Sequence, residues 1–525
     1  MKVLISDKIS KEALEIFNAA KGVEVVFDPE ISPENLIKEI GKYSALAIRS
    51  RTRVTKEVIE KADNLKVIGR AGIGVDNVDI EAATSKGILV MNTPGGNTVT
   101  TAEHALSMMM SLARDIPAAC QSMKEGKWEK SKFMGVELYN KTLGIIGMGR
   151  IGSIVASRAN GLEMRVVVYD PYLSEESAKK LNVRLVSVDE LLKEADFITI
   201  HTPLTEATKH IIGKESLKKV KKGVRIINCA RGGIVDEAAL LNAINEGIVA
   251  GAAFDVFEKE PPADWNIVNH PKVICTPHLG ASTVEAQTNV ALDIAHQIVD
   301  YLVSGTIRNA VNFPSIEPQF AAKTNVFIDL GEKIGLMASQ LSTGRFEEVT
   351  VEYSGDVTEI NTNPITASIV QGVLKPIHES ANPVNSLLLA KERGIKIVTS
   401  TLSHSDDFSN LITVKLKTDK KEYAVGGSIF NGKIPRIVKI DSYYLEAPAS
   451  GTMLIFSNYD TPGVIGKIGT IMGDAGINIA GMILGRSAPR EKALSIVNVD
   501  NDIPKDIVEK IEKLPNILSA TVVKL

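Results

Sequence analysis

The chain has 525 residues, enough for about three or four domains with separate cores, and its 60 basic and 63 acidic residues give a net charge of −3. That balance gives no reason to expect nucleic acid or an anionic membrane as a partner. The three cysteines are widely spaced and form no CxxC pair, which predicts a protein without a disulfide framework or a metal site. The N-terminus is unlike a signal peptide, and no apolar run is long enough to cross a bilayer. These features predict a cytoplasmic protein.

Residues 1 to about 95 alternate short apolar segments with amphipathic ones. KVLIS, ALAIRS, KVIGRAG and ILVMN have the composition of strands, whereas KEALEIFNAA and PENLIKEIGKY have the spacing of helices. This alternation predicts a parallel sheet covered by helices. The next segment, TTAEHALSMMMSLARDIPAA, predicts one long helix with little polar surface, in which Met108, Met109 and Met110 are buried by packing.

The alternation resumes at Thr142 and indicates a second parallel sheet. Its strand-like segments are nearly all apolar, as a sheet buried on both faces requires. They are LGIIG, RVVVYD, FITIHT, VRIINCA, GAAFDV and KVICTP. A helix-like segment, VEAQTNVALDIAHQIVDYLV, follows them, and the proline-marked turn NFPSIEPQ then predicts a domain boundary.

Two further units follow this boundary. Residues 315–450 predict a separate α+β domain, because an amphipathic helix precedes five alternating strand segments. The apolar face of that helix comprises Phe327, Leu330, Ile334, Met337 and Leu341. Residues 451–525 have the element order β-α-β-β-α-β, which is typical of a ferredoxin-like fold.

A glycine motif at the start of the second sheet predicts a dinucleotide site. Gly147, Gly149 and Gly152 form the pattern GxGxxG between a strand and a helix, and Asp170 ends the next strand about twenty residues later. The glycines permit a tight turn, a close approach of the backbone to a pyrophosphate and tight packing of helix on strand, while the helix N-terminus offers free amides. Asp170 would bind a ribose diol and repel a 2′-phosphate, which favours NAD over NADP.

Three polar residues that follow strands of this sheet predict hydride-transfer chemistry. Arg231 follows VRIINCA, Glu260 follows GAAFDV and His278 follows KVICTP. An arginine can hold a carboxylate and polarise a neighbouring carbonyl, and a histidine can transfer the alcohol proton near neutral pH. A carboxylate beside that histidine would orient the ring and raise its pKa. Each residue alone also fits a structural role, but three such placements in one domain favour a shared function.

The segments NCARGGIVDE, DVFEKEPP and PHLGAST together resemble the D-isomer-specific 2-hydroxyacid dehydrogenases. Within that family, GRAGIGVDNVDIEAATSKGILVMNTP and GKWEKSKFMGVEL are similar to the branch that oxidises 3-phosphoglycerate with NAD in the first step of serine synthesis. The segment NYDTPGVIGKIGTIMGDAGINIAGM resembles an ACT regulatory domain. The stretch before it resembles the intervening allosteric substrate-binding domain of the longer members.

The resemblance implies an α/β architecture in which a Rossmann-type nucleotide domain is inserted in a flavodoxin-like substrate domain. An α+β intervening domain and a ferredoxin-like ACT domain would follow. The implied bounds are 1–97 and 285–314 for the substrate-binding domain, 98–284 for the NAD-binding domain, 315–450 for the intervening domain and 451–525 for the ACT domain.

The resemblance also implies roles for individual residues. Arg231 would anchor the substrate, Glu260 would orient the histidine, and His278 would be the acid–base. The NAD site would be lined by Gly147, Gly149, Arg150, Ile151, Gly152, Asp170, Thr202, Cys229, Ala230, Asp255, His278 and Gly280. Ile73 departs from the family pattern, because many members carry a small hydroxyl residue there that can bond to the cofactor.

Substrate and effector contacts are implied in the same way. A phosphorylated substrate needs positive charge, and the residues expected to face it are Arg49, Ser50, Arg51, Arg70 and Asn97. Asp460 and Asn478 would hold the amino and carboxylate groups of L-serine between two paired ACT domains. The chain would therefore form a homo-oligomer, a dimer or a tetramer, that L-serine inhibits by feedback.

Other functions also fit parts of the sequence. A glyoxylate or hydroxypyruvate reductase shares the three candidate residues, but such enzymes usually end near the predicted boundary. An NAD-sensing corepressor tends to carry disordered tails, whereas this chain ends in a domain predicted to be ordered. An amino-acid sensor with a vestigial dehydrogenase would have no need of all three candidates.

Overall fold

The computed structural model of the chain describes residues 1–316, 318–402, 407–486, 488 and 490–525. Four β-sheets organise these described residues. The chain divides into two compact units: the outer unit comprises residues 1–8, 14–92 and 294–525, and the inserted unit comprises residues 9–13 and 93–293. The inserted unit therefore interrupts the outer unit along the sequence.

The first sheet of the outer unit is parallel and has the strand order β2-β1-β3-β4-β5. Its strands are β1 Lys2–Ile5, β2 Glu24–Phe27, β3 Ala45–Ile48, β4 Val67–Arg70 and β5 Leu89–Met91. The helices of this region are α1 Lys11–Ala19, α2 Pro33–Glu39, α3 Lys56–Glu60 and α4 Ile80–Ser85. This strand order is that of flavodoxin-like folds, as predicted.

The sheet of the inserted unit is also parallel, with the order β12-β11-β10-β9-β6-β7-β8. Its strands are β6 Thr142–Ile146, β7 Arg165–Tyr169, β8 Arg184–Leu185, β9 Phe197–Ile200, β10 Val224–Asn228, β11 Val249–Phe254 and β12 Val273–Cys275. Its helices are α5 Thr98–Ala113, α6 Ile116–Lys124, α7 Arg150–Gly161, α8 Glu175–Lys180, α9 Val188–Glu194, α10 Lys214–Leu217 and α11 Glu237–Asn245. The order reverses between β6 and β9, which makes this a Rossmann-type sheet with its switch point beside the glycine loop.

The single long helix predicted after residue 100 is wrong. The chain forms α5 and α6 with a break between them, because Asp115 has a left-handed backbone (φ 51°) and Pro117, which cannot donate a helical hydrogen bond, lies in the first turn of α6. The expected burial holds for Met108 and Met109, which are 6% and 1% exposed, but not for Met110, which is 38% exposed.

The long helix α12 (Val284–Ser304) leads into a mixed six-stranded sheet with the order β14-β13-β15-β16-β17-β18. Its strands are β13 Phe346–Gly355, β14 Lys396–Leu402, β15 Asn410–Thr418, β16 Glu422–Phe430, β17 Ile434–Ile440 and β18 Tyr443–Pro448, and the accompanying helices are α13 Ala321–Leu341, α14 Asn363–Leu374 and α15 Ser386–Glu392. Four of the five predicted apolar residues of α13 are buried, and Leu341 is half-buried. The prediction missed α14, since its surface is buried almost all round and shows no amphipathic period.

The last region has the predicted ferredoxin-like order. Its elements are β19 Thr452–Tyr459, α16 Val464–Asp474, β20 Ile479–Arg486, β21 Lys492–Val499, α17 Lys505–Glu512 and β22 Ile517–Lys524, and the antiparallel sheet has the order β20-β21-β19-β22. Leu454 and Phe456 pack with both helices, whereas Met453 and Ile455, on the opposite face of β19, join the core of the preceding domain.

Short 3₁₀ turns occur at Ile40–Lys42, Lys130–Lys132, Pro318–Phe320 and Asp356–Glu359. Among the helices described, none has both the length and the apolar character needed to cross a membrane.

Candidate active site

Three neighbouring strands of the inserted unit carry the residues predicted to act on the substrate. Arg231 follows β10, Glu260 follows β11 and His278 follows β12, and these strands are adjacent in the sheet. His278 Nδ1 lies 2.7 Å from Glu260 Oε2. The two side chains are 51% and 39% exposed, so a substrate can reach the pair.

The contact between His278 and Glu260 favours the charged form of both side chains. The hydrogen bond that His278 donates to Glu260 raises the pKa of His278 above its usual value. Burial and the charge of Arg231 oppose this effect, and the charges of Glu260 and Asp255 add to it. Burial acts to raise the pKa of Glu260, but the hydrogen bond and charge of His278 and the amide of Phe257 outweigh it, so that this pKa is lowered. Because Nδ1 donates to the carboxylate, Nε2 is the nitrogen left for proton transfer.

A glycine allows the turns that carry Arg231 and Glu260 to meet. A Cβ added to Gly232 would lie 1.8 Å from the carbonyl oxygen of Phe257, a distance that no side chain can accept. The turn after β11 is also held by Glu237, whose Oε1 accepts the amide of Glu258 at 2.7 Å. The amide of Phe257 donates to Glu260 Oε1 at 3.2 Å and orients that carboxylate.

The loop that carries His278 is held by the buried carboxylate of Asp255, which is 1% exposed. Its Oδ1 accepts from Thr276 Oγ1 at 2.5 Å and from the amide of Leu279 at 2.7 Å, and its Oδ2 accepts from the amide of Gly280 at 2.7 Å. Burial acts to raise the pKa of Asp255, but hydrogen bonds from His104, Thr276 and Leu279 lower it, so the group stays ionised. The sequence prediction placed Asp255 and Gly280 at the cofactor; here they support the histidine loop.

The glycine loop has the geometry of a dinucleotide cradle. Gly147 has a φ of 94°, and a Cβ on it would lie 2.6 Å from the carbonyl oxygen of His201 and from Thr202 Cγ2. A Cβ on Gly152 would lie 2.2 Å from the carbonyl oxygen of Gly147, so only glycine lets α7 begin this close to the loop. Gly149 and Arg150 are exposed at the start of α7, where no side chain caps the free amides.

Unpartnered polar atoms lie beside this loop. Thr202 Oγ1 and His201 Nδ1 are buried and have no hydrogen-bond partner among the described residues. Burial lowers the pKa of His201 to about 4, so its ring is neutral at physiological pH. Buried polar atoms without partners are typical of places where a ligand supplies the missing bond. These residues therefore fit a bound NAD.

The other residues predicted at the cofactor lie around the same edge of the sheet. Asp170 accepts from the amides of Met148 at 2.7 Å and Tyr172 at 2.8 Å, so it also joins the glycine loop to the end of β7. Ile151 is half-buried in the first turn of α7. Cys229 and Ala230 follow β10, and burial raises the pKa of the Cys229 thiol.

The residues predicted to face the substrate belong to both units. In the outer unit, Arg49, Ser50 and Arg51 follow β3, and Arg70 ends β4. Asp7 accepts from the amide of Arg49 at 2.5 Å and from Arg51 Nε at 3.2 Å, so part of this positive charge is paired locally. In the inserted unit, Asn97 begins α5 and is 7% exposed, and its Oδ1 has no partner among the described residues. Ile73, the departure from the family pattern, accepts from Asn92 Nδ2 through its carbonyl oxygen.

The two residues predicted to bind an effector lie at neighbouring turns of the last domain. Asp460 follows β19 and accepts from Arg486 Nη1 at 3.3 Å and from the amide of Arg490 at 3.2 Å. Asn478 precedes β20, is exposed, and donates to Asp500 Oδ2 at 2.6 Å.

The sequence prediction did not include three side chains that support the site: Glu237, His104 and Thr276. Glu237 lies in the motif IVDE, but nothing in that motif indicates its bond to the turn after β11. His104 precedes Thr276 by 172 positions, and their contact depends on the packing of α5 beside the end of β12. Sequence spacing alone gives no signal for contacts of this kind.

Comparison with known proteins gives matches along the chain. Residues 106–280 match the family model of the D-isomer specific 2-hydroxyacid dehydrogenase, NAD binding domain, residues 323–441 match the D-3-phosphoglycerate dehydrogenase intervening domain, and residues 452–516 match the ACT domain. The chain is 46% identical to a D-3-phosphoglycerate dehydrogenase of Archaeoglobus fulgidus and 42% identical to one of Bacillus subtilis. The first alignment covers 100% of both chains, and the second covers 100% of this chain and 99% of the relative.

Solved structures resemble part of the chain. A D-lactate dehydrogenase of Aquifex aeolicus, complexed with NAD and lactic acid, is 28% identical with a TM-score of 0.52 and covers 60% of this chain and 100% of its own. The remainder of this chain has no counterpart in that structure, whereas the two relatives match 100% of this chain.

Proposed function

Because the chain belongs to the D-3-phosphoglycerate dehydrogenases, we propose that Arg231, Glu260 and His278 perform the reaction of these enzymes. They are NAD-dependent members of the D-isomer-specific 2-hydroxyacid dehydrogenase family. They oxidise 3-phospho-D-glycerate to 3-phosphohydroxypyruvate in the first step of serine synthesis. The observation that carries the assignment is the 2.7 Å contact between His278 and Glu260 at adjacent strand ends, next to Arg231.

Each side chain has a defined task in this proposal. His278 Nε2 accepts the proton of the substrate hydroxyl while Glu260 holds the Nδ1–H, so the imidazolium that forms is stabilised as it appears. The carbon–hydrogen bond at the same carbon breaks with its electron pair, which leaves as hydride. NAD, when bound, supplies the acceptor for that hydride. In the reverse direction the imidazolium returns the proton to the carbonyl oxygen.

Arg231 acts through its charge and shape. A guanidinium can form paired hydrogen bonds to the carboxylate of a 2-hydroxy acid, which fixes the reacting carbon beside His278. It also stabilises negative charge on the neighbouring oxygen during proton transfer. We assign Arg49, Ser50, Arg51, Arg70 and Asn97 to the substrate, with the arginines offering positive charge to its phosphate.

The cofactor site is proposed at the glycine loop. The free amides at the start of α7 suit a pyrophosphate, with Gly147, Gly149, Arg150, Ile151 and Gly152 forming the cradle. Asp170 suits a ribose diol, and its charge would repel a 2′-phosphate. The remaining residues assigned to this site are Thr202, Cys229, Ala230, Asp255, His278 and Gly280.

A spectrophotometric assay tests the assignment. NADH formation should be rapid with 3-phospho-D-glycerate and slow with D-glycerate and D-lactate, because only the first offers a phosphate to the arginines. His278→Ala should lower kcat about 10²- to 10⁴-fold and weaken NAD binding far less, because the glycine loop is unchanged. Equal rates with all three substrates would contradict the phosphate-specific assignment.

We further propose that L-serine is a feedback effector that binds between ACT domains of two copies of the chain, in contact with Asp460 and Asn478. A homo-oligomer, either a dimer or a tetramer, is then required, and sedimentation velocity would measure it.

The proposed bounds are 1–97 and 285–314 (substrate-binding domain), 98–284 (NAD-binding domain), 315–450 (intervening domain) and 451–525 (ACT domain). The proposed compartment is the cytoplasm, where NAD and 3-phosphoglycerate are available.

A further inference from the structure

Helix α5 presents one face to the loop that carries His278. Thr101, His104 and Met108 follow the i, i+3, i+7 spacing of a single helical face. His104 Nε2 lies 3.1 Å from Thr276 Oγ1 and 3.2 Å from Asp255 Oδ1. Met108 Sδ lies 4.0 Å from the same hydroxyl, and a Cβ added to Gly280 would be 3.5 Å from Thr101 Cγ2. The helix therefore touches both ends of the loop.

The contacts of His104 fix which of its nitrogens carries the proton. Thr276 has a single hydroxyl proton, and it donates this proton to Asp255 Oδ1 at 2.5 Å. An ionised carboxylate can only accept, so His104 Nε2 must donate to these two oxygens. The side chain of His104 is 18% exposed, which protects this donation from competition by water.

The loop needs such support because His278 has an unfavourable backbone conformation. Its φ is 56°, in the left-handed region that residues other than glycine rarely adopt. The carbonyl oxygen of Asp255 accepts the amide of His278 at 2.9 Å, and the Asp255 carboxylate accepts the next two amides. A strained conformation persists only where the surrounding contacts hold it, and three of the hydrogen bonds that hold this loop lead to Asp255.

We propose that His104 is a positioning residue for the acid–base His278: by donating to Asp255 and Thr276, it holds the 276–280 loop in the conformation that places His278 against Glu260. The inference rests on the acid–base role of His278 in the proposed function. His104 does not touch the reacting atoms. Without the His104 side chain, the 276–280 loop would change conformation. The imidazole of His278 would then no longer be positioned for proton transfer.

Replacing His104 by leucine and by glutamine tests the proposal. Leucine removes the donor, whereas the glutamine amide nitrogen occupies nearly the place of Nε2 and can still donate. We expect His104→Leu to lower kcat about 10- to 100-fold with the KM for 3-phosphoglycerate changed less than about threefold, since a misplacement near 1 Å has effects of this size. His104→Gln should recover most of the lost kcat.

Two further variants keep the test decisive if His104→Leu folds poorly. Thr276→Val removes the shared hydroxyl at nearly constant volume and should lower kcat in the same range. The double variant His104→Gln/Thr276→Val should lose the rescue that glutamine gives alone, because both side chains act on Asp255. His296→Leu, at an exposed histidine of α12, is the matched control and should behave like the wild type.

A readout without turnover completes the experiment. A crystal structure of His104→Leu should show His278 Nδ1 moved out of hydrogen-bond distance from Glu260 Oε2. An unmoved histidine, a wild-type kcat for His104→Leu, or a glutamine variant no better than the leucine variant would each overturn the proposal. Absence of NADH formation by the wild type would instead contradict the proposed function, so the two failures are distinguishable.

Discussion

Two carboxylates of different burial control His278. Glu260 is partly exposed and bonds directly to the ring, whereas Asp255 is buried, adds its charge from a distance and holds the backbone of the loop. The first sets the protonation of the imidazole, and the second sets its position. A histidine that must accept a proton in one direction and return it in the other needs both properties.

Glu260→Gln should separate these two effects. It removes the negative charge that raises the pKa of His278, so this pKa falls. Oxidation requires the neutral ring, so kcat/KM for 3-phosphoglycerate rises with pH through this pKa, and its midpoint should move to lower pH. Reduction of 3-phosphohydroxypyruvate requires the imidazolium, so the reductase activity of the variant should be lost, as pH rises, at a lower pH than in the wild type.

The measurement is a pH profile of kcat/KM in both directions. We also expect kcat for oxidation to fall by on the order of 10²-fold, because the imidazolium that forms is no longer stabilised by a negative charge. Glu258→Gln, a neighbouring exposed acid, is the control and should leave both profiles in place. Identical midpoints for Glu260→Gln and the wild type would contradict the proposed coupling.

At the scale of elements, the site depends on how closely the turns after neighbouring parallel strands approach one another. β10, β11 and β12 run side by side, so their carboxyl ends meet at one edge of the sheet. Gly232 lets the first two turns touch, and Asp255 at the end of β11 holds the loop after β12. The proposed catalytic arrangement therefore depends on all three turns.

Gly232→Ala should disturb two turns at once. The new methyl group would meet the carbonyl oxygen of Phe257, which belongs to the backbone and cannot rotate away. We expect a loss of about 1–3 kcal/mol in the free energy of unfolding and a marked fall in kcat, because Arg231 and Glu260 are displaced. Urea unfolding and the NADH assay measure the two effects.

Gly161→Ala provides the control for that substitution. Gly161 ends α7 in the same unit, and a Cβ on it would meet nothing within 4 Å. The free energy of unfolding of Gly161→Ala should differ from that of the wild type by less than about 0.5 kcal/mol. Equal free energies of unfolding for Gly232→Ala and Gly161→Ala would show that the close approach of the turns after β10 and β11 does not affect stability.

In the molecule as a whole, two further domains follow the NAD-binding domain, and they match the D-3-phosphoglycerate dehydrogenase intervening domain and the ACT domain. The last domain packs the second face of its sheet on the core of the preceding domain, through Met453, Ile455 and Val523. Asn382 Nδ2 in turn donates to the carbonyl oxygen of Gly87 at 3.0 Å, next to α4. Within the outer unit, the last domain thus contacts the preceding domain, and the preceding domain contacts the region of the first sheet.

Asn478→Ala should weaken inhibition by L-serine tenfold or more while basal kcat stays unchanged, because a lost hydrogen bond to a charged ligand has about this effect. Isothermal titration with L-serine and inhibition curves measure it. Asn501→Ala, an exposed asparagine of the same domain, should bind L-serine as the wild type does. Unchanged heat of binding after Asn478→Ala would remove this residue from the effector site.

Local sequence patterns predicted most of the element types and the place of the glycine loop. Strand and helix periods are local, and a run such as LGIIGMGRIG carries its strand, turn and helix start within ten residues. The strand-end positions of Arg231, Glu260 and His278 follow from the same local signal. Family resemblance supplied their expected roles, which stay predictions until variants are assayed.

The contacts that distinguish one side chain's role from another's appear only in the folded chain. Asp255 supports the histidine loop, and His104 reaches Thr276 across 172 residues, because α5 packs beside the end of β12. The buried helix α14 was likewise missed, since burial on every side removes the polar face that local patterns detect. The break between α5 and α6 was missed because the left-handed backbone of Asp115 has no signal in the hydrophobic period. Contacts between distant segments depend on packing, and packing is not encoded in any single window of sequence.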